Sequence, residues 1–299
     1  MNVQWYPGHM TKTMRMLSMD IALVDVVIEL LDARIPYSSK NPDIDGLAAH
    51  KRRIVALNKA DLANPHMTVE WVNYYVNKGF SVTATDSVSG EGIQKIADMA
   101  RRLMQDKIER QKSRGRVFAP IRAMVVGVPN VGKSTLINKY TGSAATKTAD
   151  KPGVTRGKQW VRICKDFELL DTPGVLWPKF DDVNIGLRLA FTGAVNDQIF
   201  DRVENALAFI ALICKIAPEA VKMRYKIDFK EEAPYEILTE IAKARGFLLR
   251  AGQLDIERAA IILLDEFRAG KLGRITLEEP PLVPYGHKAA INNKDSSVR

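Results

Sequence analysis

Over the first 175 residues, short apolar runs alternate with amphipathic stretches. Runs at 24–31, 53–57, 80–85, 121–126, 159–163 and 167–170 are four to eight residues long, which suits strands. Apolar positions at helical spacing over 10–19, 43–49, 69–77, 92–111 and 133–140 predict helices between them. Alternation of this kind predicts an α/β fold with a mostly parallel sheet flanked by helices. After about Phe180 the strand pattern stops. Stripes through Leu187, Ala190, Phe191 and Ala194, then 206–213, then Ile237, Leu238 and Ile241, then 256–267, predict a smaller, all-helical C-terminal domain. The expected division is 1–179, 180–285 and a flexible tail, 286–299. The polar stretch 112–116 reads as a linker, and the Pro-rich end from Pro280 to Pro284 as weakly ordered.

Composition narrows the class. With 46% apolar and 26% charged residues, the chain reads as an ordinary soluble protein. Cys164 and Cys214 make no disulfide framework and read as reduced core residues. The longest uninterrupted apolar run, from Ala206 to Cys214, is far shorter than the ~20 residues that span a bilayer. No secretory or organelle leader is visible, so a cytoplasmic protein with no membrane partner is expected. The net charge of +9 favours a polyanionic partner. It is unevenly placed: residues 1–179 carry 27 basic against 17 acidic residues, and 180–299 carry 17 against 18. The densest basic stretch, 101–122, reads equally as a solvated helix face with a linker or as a face turned towards RNA.

Three motifs carry the chemistry, and their order is unusual. Gly127-Val128-Pro129-Asn130-Val131-Gly132-Lys133-Ser134 is a complete phosphate loop between a predicted strand and a predicted helix. Backbone N–H groups of Asn130, Val131, Gly132, Lys133, Ser134 and Thr135 would cradle phosphate at the positive end of that helix. Lys133 would reach the β- and γ-phosphates, and the Ser134 hydroxyl would ligate Mg²⁺. Asp171-Thr172-Pro173-Gly174 follows, with Asp171 placed to hold Mg²⁺ and Gly174 to sense the γ-phosphate. Between them, Thr155 is the candidate switch threonine for metal and γ-phosphate. Asn58-Lys59-Ala60-Asp61 lies about seventy residues before the phosphate loop, where an ordinary GTPase has it after. The Asp61 carboxylate can accept from the guanine N1–H and exocyclic amine together, a donor pair adenine lacks, so GTP and GDP are the expected nucleotides. Lys59 would lie along the base, and Ser87 stands where a further base contact belongs.

Val175 occupies the place of the glutamine that often orients the attacking water, so weak intrinsic hydrolysis is expected. His9, after Pro7-Gly8, is either a helix-start histidine packed on Trp5 or a group that positions water. The motif order, with Trp5-Tyr6-Pro7-Gly8-His9-Met10 and residues 169–180, resembles the circularly permuted GTPases, and among them the bacterial ribosome biogenesis GTPase A family. The resemblance extends over nearly the whole chain. It implies GTP hydrolysis stimulated by the large (50S) ribosomal subunit during its assembly, a helical RNA-binding domain, and a supporting role for His9 in hydrolysis. It also implies a K⁺ held by Asn130. The large subunit and its rRNA are then the partners, with no DNA, and a monomer is expected. The RNA face would use Lys243, Arg245, Arg250, Arg268, Lys271 and Arg274. Two other readings stay open on the residues alone: a nucleotide sensor with little catalysis, and a GTPase with a non-ribosomal client.

Overall fold

Strand β1 (Val26–Asp32) is buried at all seven positions, as a central parallel strand covered on both faces must be. Its neighbours explain this. A computed structural model describes residues 7–115, 120–142, 159–172, 176, 182–197 and 200–281. Within it, β1, β2 (Arg52–Asn58), β3 (Ser81–Ala84), β4 (Ile121–Val126), β5 (Gln159–Cys164) and β6 (Phe167–Asp171) form one sheet ordered β3-β2-β1-β4-β6-β5. All neighbours are parallel except the β5–β6 hairpin. The predicted strands are all present, shifted by at most two residues at either end.

The connections show what the motif order implies. The base-reading strands β1 to β3 come first in sequence, yet β1 lies directly beside β4, which leads into the phosphate loop. The strand order reverses at β1 and β4, the place where an open α/β sheet binds ligands beyond its carboxyl ends. The two halves of the site are therefore adjacent in space despite their reversed order in the chain.

Helices α1 (Pro7–Ala22), α2 (Asp43–Leu47), α3 (Pro65–Asn77), α4 (Ile93–Leu103), α5 (Gln105–Ser113) and α6 (Lys133–Thr141) accompany the sheet. Two differ from expectation. Helix α3 begins four residues early because the Asn64 side chain caps it, accepting from the N–H groups of His66 and Met67 at 2.9 and 3.2 Å, with Pro65 following. The single helix expected over 92–111 is two helices, broken at the buried Met104; α4 buries a face and α5 buries no residue.

Helices α7 (Val183–Phe191), α8 (Arg202–Ile216), α9 (Pro218–Tyr225), α10 (Pro234–Arg245) and α11 (Ile256–Arg268) follow. They pack around Phe209, which meets the rings of Phe191 and Phe267 at 5.3 and 4.8 Å between centroids. Their core is continuous with one face of the sheet. After α11 the chain does not trail away. Residues 270–281 return across the first half, with Ile275, Thr276, Leu277 and Glu278 all buried. None of the described helices is long and apolar enough to cross a membrane. Cys164 and Cys214 are both free thiols.

Candidate functional site

The phosphate loop links β4 to α6. Gly132, with φ at 102°, occupies the left-handed region just before α6, and a Cβ there would come 2.4 Å from the Asn58 Nδ2. Only glycine meets both demands. The Lys133 ammonium is folded into the loop and donates to the carbonyls of Gly127 and Val128 at 3.1 and 2.9 Å. Its side chain is thus held beside the backbone that would surround phosphate. Val131 is buried under the loop, while Ser134 and Thr135 lie half-buried on the first turn of α6.

Asn58 joins the two halves of the site. Its Nδ2 donates to the Val131 carbonyl at 2.7 Å, and its Oδ1 accepts from the Ser87 N–H, the Ser87 hydroxyl and the Thr85 hydroxyl at 3.1, 2.7 and 3.2 Å. One amide therefore fixes the phosphate loop, the Asn-Lys-Ala-Asp turn and the Ser87 loop together. Asp61 is exposed beside Asp86. Partial desolvation and the Asp86 charge push the Asp61 carboxyl above the ordinary carboxylate value. Asp86 itself is held below that value, because hydrogen bonds from Ser89 and Val88 outweigh desolvation.

The geometry agrees with what is known of similar chains. The family described as 50S ribosome-binding GTPase matches residues 122–239. Ribosome biogenesis GTPase A of Bacillus cereus is 44% identical over 94% of this chain and 95% of its own length. The chain belongs to the ribosome biogenesis GTPase A family. The namesake from Priestia megaterium is 43% identical over 94% of this chain and 98% of its own. The solved GNP-bound structure of YlqF from Thermotoga maritima covers 91% of this chain and 100% of its own, at 28% identity and a TM-score of 0.63. The GDP-bound structure gives 0.61 at 29% identity, covering 89% and 99%. This ribosome biogenesis GTPase thus uses GTP and GDP, and its permuted motif order is that of its family.

Sequence patterns did not reveal how this GTPase supports its base-reading turn. Burial opposes ionisation of Asp32, at the end of β1, but the neighbouring Arg34 guanidinium and Lys59 ammonium hold its carboxyl far below the usual range. Arg34 binds both oxygens, at 2.9 and 2.7 Å, and Lys59 of the Asn-Lys-Ala-Asp motif lies at 3.4 Å. Lys59, with φ at 60°, is thereby positioned from beneath. Arg34 also reaches the Arg268 carbonyl at 3.3 Å and stacks over Phe267 of α11. The signal available in sequence was Asp-Ala-Arg at the close of a mostly apolar strand.

The returning segment 270–281 completes this support. The Ile275 N–H donates to the Leu62 carbonyl, the Leu277 N–H to that of Arg34, and the Arg274 guanidinium to those of Ala63 and Ala60 at 3.0 and 2.9 Å. Buried Glu278 accepts from the Tyr37 and Ser38 N–H groups and from the Ser38 hydroxyl, with Arg188 at 3.7 Å. The Trp71 indole donates to its carbonyl.

These contacts engage several cations of the expected RNA face. Arg245 is paired with Glu266, Arg268 binds Asp197 and the carbonyls of Ala190 and Phe191, and Arg274 holds the base-reading turn. Of the six cations expected there, these three have work inside the protein, and Lys243 pairs with Glu240. Pro7, Gly8 and His9 already lie in α1 and form no turn before it, since proline is tolerated in a first helical turn. The side chains of His9 and Asp171, together with Thr155, Gly174 and Val175, lie outside the described residues. The backbone of Asp171 ends β6, opposite Val125 of β4. The Asn130 amide, expected at a K⁺, donates to the Gly193 carbonyl at 2.7 Å.

Proposed function

We propose that this GTPase binds the precursor of the large ribosomal subunit in its GTP form, contacts rRNA, and leaves on hydrolysis. One observation carries the coupling: the phosphate-loop residue Asn130 is hydrogen-bonded to Gly193, at the end of α7. A rearrangement of that loop around the γ-phosphate would be felt at the first helix of the C-terminal region, which is assigned the RNA contact. GTP then acts as a checkpoint, with the protein working as a monomer of two domains, 1–179 and 180–285, in the cytoplasm.

Mg²⁺ fits the donors present. Ser134 lies in the first turn of α6 and the backbone of Asp171 closes a strand hydrogen-bonded to β4, so two residue types that carry hard oxygen ligands stand at the same edge. These two and Thr155 would hold the ion, which when bound neutralises charge between the β- and γ-phosphates. Asn130, its amide hydrogens turned to Gly193, would offer a K⁺ its Oδ1. Lys133 neutralises phosphate charge, Gly174 senses the γ-phosphate, Asp61 reads the base, and His9 positions water once the subunit has completed the site.

The test is GTP turnover in K⁺ buffer with and without purified large subunits. Strong stimulation, lost in His9→Ala, is expected. Equal rates with and without subunits would refute the ribosomal assignment. Full stimulation in His9→Ala would remove the histidine alone from the mechanism.

A further inference from the structure

The basic stretch 101–122 takes no part in the nucleotide site. Its residues 103–114 form one wall of an open groove of about 440 Å³. The groove lies at the opposite edge of the sheet from the nucleotide loops. Its lining includes Asp25, which immediately precedes β1, and Arg52, which opens β2, whereas the nucleotide loops leave the far ends of the same strands. Helix α5 and the residue after it contribute Asp106, Lys107, Arg110 and Arg114. Asp25 is already engaged, by the Lys107 ammonium and by the Arg122 N–H at 3.3 Å. Arg52, Arg110 and Arg114 are exposed, and among the described residues none of them has a carboxylate at ion-pair distance.

Three unpaired guanidinium groups converging on one concavity repel each other, and the low-dielectric walls concentrate their field outward. Helix α5 buries no residue and sets only Ile108 against the core, so packing does not account for its basic positions. Exposed guanidinium forks at the mouth of a groove suit phosphate oxygens on an extended chain.

We propose that this groove binds the phosphate backbone of RNA, as a second contact remote from the nucleotide and separate from the C-terminal helices. The proposal rests on the ribosomal reading above and adds the face on which RNA is held. The test compares the full chain with an Arg52→Gln, Arg110→Gln, Arg114→Gln variant, binding large-subunit rRNA in a non-hydrolysable GTP analogue over a range of salt. Each lost phosphate contact flattens the plot of log affinity against log salt by roughly one. A flattening of about two to three is expected, with unchanged GTP turnover in the absence of RNA. In the unmodified chain, rRNA should also slow amide hydrogen exchange across Gln105–Ser113. An unchanged slope, or exchange in α5 that RNA leaves unaltered, overturns the groove. If subunits still stimulate turnover in that case, the ribosomal reading survives without it. An unmodified chain that neither binds rRNA nor responds to subunits overturns both.

Discussion

Asn58 shows how much one side chain can decide. It is buried, and its amide presents a donor to Val131 and an acceptor to Ser87 and Thr85. Asn58→Asp keeps the shape but sets a negatively charged acceptor against the Val131 carbonyl. A loss of about 3 kcal/mol in unfolding free energy is expected, from one buried repulsion and one lost hydrogen bond. Denaturant titration checks it, and a loss below about 1 kcal/mol would mean that the junction is not held by this amide. A second prediction concerns pH. Asp61 must be ionised to accept from guanine, and its carboxyl is raised by desolvation and by Asp86. A raised value means protonation begins at higher pH than for an ordinary carboxyl, so guanine affinity should fall early on acidification. Asp86→Asn removes the neighbouring charge and should move the midpoint of that fall to lower pH. Titration of a fluorescent GDP analogue reads it; a midpoint that stays or rises would contradict the argument.

Among the elements, the returning segment 270–281 has no regular secondary structure, yet it buttresses the base-reading turn. Glu278 is its anchor. Burial pushes its carboxyl up, while Ser38, Arg188 and the Tyr37 N–H pull it back. Glu278→Ala would leave those donors buried without an acceptor. The expected cost is about 3 kcal/mol, against a negligible effect of Glu279→Ala at the exposed neighbouring position. Equal effects of the two would show that the segment is not anchored there. This element also marks where sequence patterns stop being informative. The strand at Ile121–Val126 was legible to the residue, because an apolar run bounded by proline and glycine has few other readings. The phosphate and guanine motifs, and their inverted order, were legible because they are local. The segment's partners in the first half of the chain are more than two hundred positions away, so no periodicity reports them. A lone arginine such as Arg268 or Arg274 looks the same in sequence whether it faces RNA or a carbonyl of its own chain.

At the scale of the whole molecule, hydrogen bonds among the described residues tie the nucleotide site to the C-terminal region through Asn130 on Gly193 and through Arg34 on the end of α11. Asn130→Ala removes the first while leaving the glycines and Lys133 in place. At saturating nucleotide, the variant's cosedimentation with large subunits should differ less between a GTP analogue and GDP than it does for the unmodified protein. An undiminished difference would place the coupling elsewhere, with Arg34 the next residue to change.

The returning segment also imposes an order in time. The base-reading turn is made first in synthesis, and the residues that clamp it, Arg274 to Glu278, follow more than two hundred residues later. At roughly 5–20 residues per second, translation leaves that turn without its clamp for about 10–40 s. A nascent chain therefore carries half a nucleotide site, then both halves without their buttress. Guanine binding should therefore become firm only once that segment has been made, and a chain terminated before Arg274 should compete poorly for GTP.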